Sequence, residues 1–312
     1  MVKDDVARGR GLVTTCAVAN EEVVIGTSKG VLVRYDFVGG TSSEIELSPK
    51  AEAEVTHLFL DPTARHCLAV LQEPVTGRVV DTFYVHKNAK KPRSLTKLKG
   101  ALVTSVGWNR AYLSEASTRE TLLGTAGGQL CELVFEDKDK KERSFRTLLE
   151  LKDPNPKEPI IGLHMDWAGG VAGMAARITV YAITPTRLYI FQGSPNLDAL
   201  VATNVSGVDP TIELPEPLDG GELHVWGRKG KQRSEQLAWL AGPGVFFGKI
   251  GTTSRTDSNS QPHVIFSEQS LLQYPNDAGA AISLAALEFH FLFLFHDKLV
   301  AVNTLNEEVA FE

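Results

Sequence analysis

The alternation of apolar and polar residues is clearest at residues 122–136, where two short apolar runs flank the sequence Thr-Ala-Gly-Gly. After this glycine pair, successive residues from Leu130 to Phe135 fall on opposite faces, which is the period of two typical of a β-strand. Glycine can adopt the positive φ that a tight reversal requires. The segment therefore predicts a β-hairpin.

The same hairpin pattern recurs along the chain. An earlier copy occupies residues 23–35, and four further candidates occupy residues 68–86, 180–192, 237–250 and 291–302. The six turns lie 47 to 59 residues apart and are marked by Thr27, Pro74, Thr125, Thr184, Ala241 and His296.

A repeat of this length that is built of strands is typical of a propeller blade, which is a four-stranded sheet. The pattern therefore predicts an all-β fold, a β-propeller with six visible blades. The alternative is a large β-sandwich with irregularly spaced hairpins.

Composition narrows the possible classes of protein. The chain has 312 residues, of which 43% are hydrophobic, enough for a sizeable core. Its formal charge of −6, from 32 basic and 38 acidic residues, argues against a dedicated nucleic-acid binder. Three widely spaced cysteines are not a disulfide framework and fit a reducing compartment.

Membrane and targeting signals are weak. The amino terminus is polar and lacks the apolar core of a signal peptide. The one membrane-like stretch, residues 280–295, is interrupted by Glu288 and His290 and is shorter than the ~20 residues of a spanning helix. We interpret it as two adjacent strands and expect a cytoplasmic protein whose membrane association is peripheral.

Each candidate motif for catalysis or metal binding lacks a feature that its chemistry requires. Residues 26–30 match the GxSxG pattern of a hydrolase, but a strand follows where a nucleophile elbow needs a helix. Residues 244–250 resemble a phosphate loop with one residue too few and with Ile250 in place of Ser or Thr. His290 and His296 have no third ligand at metal spacing. We therefore expect no catalytic, cofactor-binding or metal-binding residues, and no enzyme.

A basic stretch follows the second hairpin. Residues 86–99 contain no acidic residue and six basic ones, Lys87, Lys90, Lys91, Arg93, Lys97 and Lys99. One interpretation is a surface for an anionic partner, either a phosphorylated lipid head group or an acidic protein face. The other is a solvated strand and connecting loop, because an acidic protein still carries basic residues on its surface.

Several segments together resemble the deep orange family, also known as the class C vacuolar protein sorting family. They occur in order, and they are residues 59–63 (FLDPT), 90–95 (KKPRSL), 105–109 (SVGWN), 123–126 (LGTA), 289–292 (FHFL) and 301–306 (AVNTLN).

The resemblance implies an amino-terminal propeller, usually of seven blades, followed by an α-solenoid and a zinc-binding RING-type domain. We accordingly expect residues 1–312 to be a propeller truncated before its last blade, without the solenoid and RING-type parts.

The resemblance also implies a non-catalytic scaffold subunit of two membrane-tethering complexes. These are the homotypic fusion and vacuole protein sorting complex (HOPS) and its early-endosome counterpart (CORVET). The expected partners are other class C subunits, Rab GTPases and SNAREs, at late endosome and vacuole or lysosome membranes. Two alternatives stay open. A propeller enzyme would need carboxylates or histidines converging on its channel, and a nucleic-acid-associated propeller would bind through the basic stretch.

Overall fold

The computed structural model describes residues 9–48, 52–136, 143–151, 157–168, 176–203, 210–215, 217–218, 220–227, 234–252, 264–274 and 279–312. Their strands form six antiparallel sheets of four strands, each a simple meander. The chain divides into two compact units: the first takes in the first three sheets, except Gly128–Leu130 and the last residues of the third sheet from Leu148 onward, and the second takes in the rest.

The first unit has three sheets. The first sheet contains β1 (Val13–Ala19), β2 (Glu22–Thr27), β3 (Val31–Asp36) and β4 (Thr41–Glu46). The second contains β5 (Glu54–Leu60), β6 (His66–Gln72), β7 (Val79–His86) and β8 (Arg93–Ser94), and a 3₁₀ turn follows at Thr96–Leu98. The third contains β9 (Val103–Gly107), β10 (Ser117–Thr125), β11 (Gln129–Glu136) and β12 (Arg143–Glu150).

The second unit repeats the arrangement. The fourth sheet contains β13 (Gly162–Ala168), β14 (Arg177–Ile183), β15 (Arg187–Gly193) and β16 (Ile212–Glu213). The fifth contains β17 (Leu223–Trp226), β18 (Gln236–Ala241), β19 (Gly244–Thr252) and β20 (Val264–Gln273). The sixth contains β21 (Ser283–Ala286), β22 (His290–Leu294), β23 (Leu299–Asn303) and β24 (Val309–Phe311).

The six predicted hairpins are confirmed, and each supplies the two middle strands of a sheet. Six repeated four-stranded meanders are the blades of a β-propeller, which confirms the predicted fold class.

The turns of two hairpins place the same steric requirement on one residue. Gly30 and Gly128 have φ of +69° and +72°, and a Cβ on either would lie 3.1 Å from a backbone carbonyl oxygen. Glycine meets both requirements.

Apolar residues of neighbouring sheets pack together within each unit. In the first unit, Val24 and Leu71 belong to a core shared by the first two sheets, and Leu68 and Phe135 to one shared by the second and third. In the second unit, Trp239 packs with residues of the fourth sheet, and the fully buried Phe293 lies in a core shared by the last two sheets. Two middle strands, β6 and β14, are buried at nearly every residue because both of their faces are covered.

Some local structure was not predicted. A short helix, α1 (Asp198–Thr203), follows β15 of the fourth sheet. The sixth sheet ends with β24, which pairs with β23. Residues 280–295 form β21 and β22, as expected.

Candidate functional site

Ser28 of the GxSxG motif has a structural role. Its Oγ accepts a hydrogen bond from the backbone N–H of Leu12 at 2.9 Å, and its own N–H donates to the Leu12 carbonyl. Strand β3 follows the turn, so no helix provides the setting of a nucleophile elbow. In the equivalent turn, the Ala126 N–H donates to the Leu102 carbonyl. The motif therefore joins a hairpin to its neighbouring strand.

The other suspected motifs also lie in ordinary strand structure. Residues 244–250 belong to β19, where Gly244 pairs with Ala241, so they do not form a phosphate-binding loop before a helix. His290 begins β22, and His296 is exposed in the following turn. Among the residues that the structure describes, no three His, Cys, Asp or Glu side chains are grouped to hold a metal ion.

A buried Ser/His/Asp cluster, unseen in the sequence, joins the fourth and fifth sheets. Asp166 Oδ1 lies 2.9 Å from His164 Nε2 and accepts a hydrogen bond from Ser234 Oγ at 2.8 Å, while the Ser234 N–H donates to Oδ2 at 3.1 Å. A nucleophilic triad uses opposite ring nitrogens for serine and aspartate. Here Nε2 faces both, since Ser234 Oγ lies 3.3 Å from it, so the cluster is structural.

Burial and hydrogen bonding have opposite effects on the pKa of the Asp166 carboxyl group. Its burial would raise the pKa, but the hydrogen bonds from His164 and Ser234 together lower it below the ordinary value of 3.8. Asp166 is therefore ionised at neutral pH and links β13 to the segment that leads into β18. No local sequence pattern could indicate this, because residues 166 and 234 are far apart in the chain.

The basic stretch, the predicted surface for an anionic partner, contains two kinds of residue. Lys87 is occupied within the protein: its Nζ pairs with the buried carboxylate of Glu22 and lies 3.9 Å from Asp36. Glu22 also accepts from Arg34 Nη1 at 2.9 Å. Because a buried carboxylate requires such partners, Lys87 stabilises the first unit.

Arg93 is also part of the packing. Its guanidinium carbon lies 4.6 Å from the ring centroid of Tyr84, which stacks on Phe135 at 4.4 Å. Arg93 Nη1 donates to the Glu136 carbonyl at 3.3 Å. The cation–π contact and the hydrogen bond hold β8 of the second sheet against β11 of the third.

The remaining lysines are exposed to solvent. Lys90 and Lys91 lie in the loop after β7, and Lys97 and Lys99 lie in and beside the 3₁₀ turn. Leu95 and Leu98 are buried at either end of this turn and anchor it to the core. The two lysines beside the anchored turn are exposed, so four of the six predicted residues are exposed lysines of one chain segment, which we call the lysine surface (Lys90, Lys91, Lys97, Lys99).

The family follows from comparison of the chain with known proteins. The model of the Pep3/Vps18/deep orange β-propeller domain matches residues 3–312. The chain belongs to this family. The resemblance found in the sequence is therefore confirmed, and the chain is a member of a vacuolar protein sorting family.

Relatives in plants and animals agree with this assignment. The chain is 36% identical to vacuolar sorting protein 18 of Arabidopsis thaliana over 97% of its length. It is 26% identical to the Danio rerio vacuolar protein sorting-associated protein 18 homolog over 95% of its length. In both comparisons the chain spans 30% of the relative.

Solved structures support the fold of this Vps18-family chain. The β-propeller domain of Myceliophteria thermophila Cps50 (Swd1) matches with a TM-score of 0.53 and 10% identity, over 96% of this chain and 86% of that domain. The tricorn protease matches equally well over 96% of this chain and 26% of its own. At this identity the likeness concerns the fold alone. Separately, no helix in the described ranges is long and apolar enough to span a membrane.

Proposed function

We propose that the chain is the propeller part of a non-catalytic scaffold subunit of HOPS- and CORVET-type tethering complexes. In this role it takes part in vesicle docking and fusion and in transport from endosomes to the vacuole or lysosome. The observation that carries the proposal is the family match across residues 3–312. The 36% identity to a vacuolar sorting protein over 97% of the chain supports it further.

The partners follow from the same proposal. Other class C vacuolar sorting subunits assemble with this protein, and the complex contacts Rab GTPases and SNAREs at late endosome and vacuole or lysosome membranes. The arrangement of a propeller suits this task, because its sheets form a rigid framework while its loops remain available for contacts. The suspected catalytic motifs lie in structural turns and strands, which is consistent with a scaffold.

Affinity purification tests the assembly. The tagged endogenous protein, isolated from cell lysate and analysed by mass spectrometry, is expected to retain the other class C subunits in near-stoichiometric amounts. Rab and SNARE proteins should accompany them at lower levels. Recovery of a metabolic enzyme complex or ribonucleoproteins, with no class C subunit, would contradict the proposal.

The lysine surface gives the scaffold a contact for anionic partners. Lys90, Lys91 and Lys99 are exposed and separate from the packing contacts of Lys87 and Arg93. A lysine near an anionic membrane contributes about 1 kcal/mol to binding. Replacing the three by Glu should therefore weaken binding to phosphoinositide-containing liposomes by about 100-fold or more.

A matched control variant distinguishes the effect of where the lysines lie from the effect of the change in net charge. The variant Lys29→Glu, Arg78→Glu and Lys157→Glu changes three exposed basic residues elsewhere and alters the net charge equally. It should bind liposomes almost as well as the unmodified protein in a flotation assay. If both triple variants bind alike, the lysine surface is ordinary solvated surface.

A further inference from the structure

The last two sheets of the second unit enclose an apolar cleft. Two adjoining cavities of about 910 and 270 Å³ open between them. Both cavities are lined by the same six residues, Trp226, Gln236, Lys249, Leu287, Glu288 and Phe289. The smaller cavity continues toward Phe291 and the turn that contains Leu305. This shared space, the β19–β22 cleft, is large enough for several side chains of a ligand.

Large apolar side chains at the cleft are exposed, and they lie in turns that are held by backbone hydrogen bonds. Leu287 and Phe289 are 49% and 51% exposed, and Leu305 is 80% exposed. The Leu287 N–H donates to the His290 carbonyl, and the Phe289 carbonyl accepts from the Thr304 N–H, both at 2.9 Å. Exposed apolar residues gathered at one concave site are typical of a binding surface.

The rim of the cleft is acidic. Glu235, Glu268 and Glu288 line it, while Lys249 is the single basic residue among the described lining residues. Lys249 is already paired with Glu268, with Nζ 2.5 Å from Oε2. Glu307 and Glu308, which follow Leu305 in the chain, are also exposed. A ligand that combines positive charge with apolar side chains complements this surface.

We propose that the β19–β22 cleft binds a basic segment of a partner protein through two or more large apolar side chains. The apolar side chains enter between Trp226, Leu287 and Phe289, and Lys or Arg residues of the segment face the acidic rim. This inference rests on the geometry of the second unit and does not depend on the proposed tethering role.

Synthetic peptides test the chemistry directly. Two fluorescent peptides of about 16 residues, roughly four helical turns, would carry the same Leu, Trp and Lys residues, one with helical and one with alternating spacing. Matched peptides would carry Glu in place of Lys. Fluorescence anisotropy with the full chain should give a Kd below about 100 μM for at least one basic peptide and binding at least about tenfold weaker for its acidic counterpart.

Variants locate the binding site. The double variant Leu287→Asp and Phe289→Asp should weaken binding of the basic peptide by about tenfold or more, because it removes the apolar anchors. The control Phe37→Asp with Val75→Asp changes two exposed apolar residues of the first unit and should leave the Kd within about twofold. Glu288→Lys should also weaken binding, whereas Glu46→Lys, an exposed carboxylate of β4, should not.

Three results would overturn the proposal: no binding of either basic peptide, equal binding of basic and acidic peptides, or equal effects of the cleft and control variants. A further variant tests another occupant, the chain's own basic segment at residues 228–233, which lies outside the described residues. Binding that appears only after this segment is replaced by Gly and Ser would assign the cleft to it and contradict a partner protein as the ligand.

Discussion

At the scale of single residues, basic side chains that are neighbours in the chain differ in their contacts. Lys87 and Lys90 belong to one basic run, but Lys87 pairs with a buried carboxylate and Lys90 is exposed. The sequence correctly located positive charge between residues 86 and 99. It could not separate packing residues from surface residues, because Glu22 and Phe135, which make that distinction, lie far away in the chain.

The Arg93 contacts predict a measurable loss of stability. Arg93→Ala removes the cation–π contact with Tyr84 and the hydrogen bond to Glu136, and should lower the free energy of unfolding by about 1–2 kcal/mol. Lys91→Ala, an exposed neighbour, should stay within about 0.5 kcal/mol. Denaturant titration followed by tryptophan fluorescence compares them. Equal stability of both variants would show that Arg93 does not join the two sheets.

The three free thiols should differ in reactivity. Burial raises the pKa of Cys67 to about 12 and also raises the pKa of Cys131, whereas Cys16 is exposed. Because the thiolate is the reactive form, a thiol reagent at neutral pH should modify Cys16 rapidly and the other two only on unfolding. Mass spectrometry after brief alkylation identifies the modified residue. Rapid alkylation of Cys67 in the folded protein would contradict its burial.

At the scale of secondary-structure elements, the local sequence pattern was sufficient to predict the hairpins but not the polar contacts between sheets. Alternation and turn residues predicted all six central hairpins, since these depend on neighbouring residues. Helix α1 was missed because its six residues are too few to establish a helical period. The polar links were also missed: Asp166 contacts Ser234, just before β18 of the next sheet, and Glu222 accepts a hydrogen bond from the Leu284 N–H at 2.9 Å.

The Asp166 cluster predicts both a mutational cost and its pH dependence. Asp166→Ala leaves the buried Ser234 N–H and His164 without their carboxylate and should cost about 2–4 kcal/mol at neutral pH. The folded-state pKa of Asp166 is lowered, so its stabilisation is present above the ordinary value of 3.8 and is lost as pH falls through the folded-state pKa.

Measurement of stability from pH 7 to pH 2 tests whether the stabilisation by Asp166 is lost as the pH falls. The difference between the unmodified protein and Asp166→Ala should be constant near neutrality and should shrink below pH 3.8. Asp297→Ala, at an exposed turn, is the control and should change stability little at any pH. A difference that grows toward acid pH would mean that the Asp166 carboxylate does not stabilise the fold.

At the scale of the whole molecule, the strand repeat in the sequence predicted the fold, and the family match indicated vacuolar protein sorting as the process. A strand repeat of 47 to 59 residues was enough for a propeller. The same fold in Cps50 and in the tricorn protease shows that architecture leaves function undecided. The assignment to vacuolar sorting comes from the family match, and the chain spans 30% of the plant relative that supports it.

Delivery of a vacuolar hydrolase in cells tests the role of the protein in vacuolar protein sorting. The endogenous protein would be depleted, and the precursor of a soluble vacuolar hydrolase would be followed by pulse-chase labelling in cells and medium. We expect the precursor to mature slowly and to accumulate in the medium, and we expect re-expression of the full protein to restore its delivery. Normal maturation in fully depleted cells would contradict a role in vacuolar protein sorting.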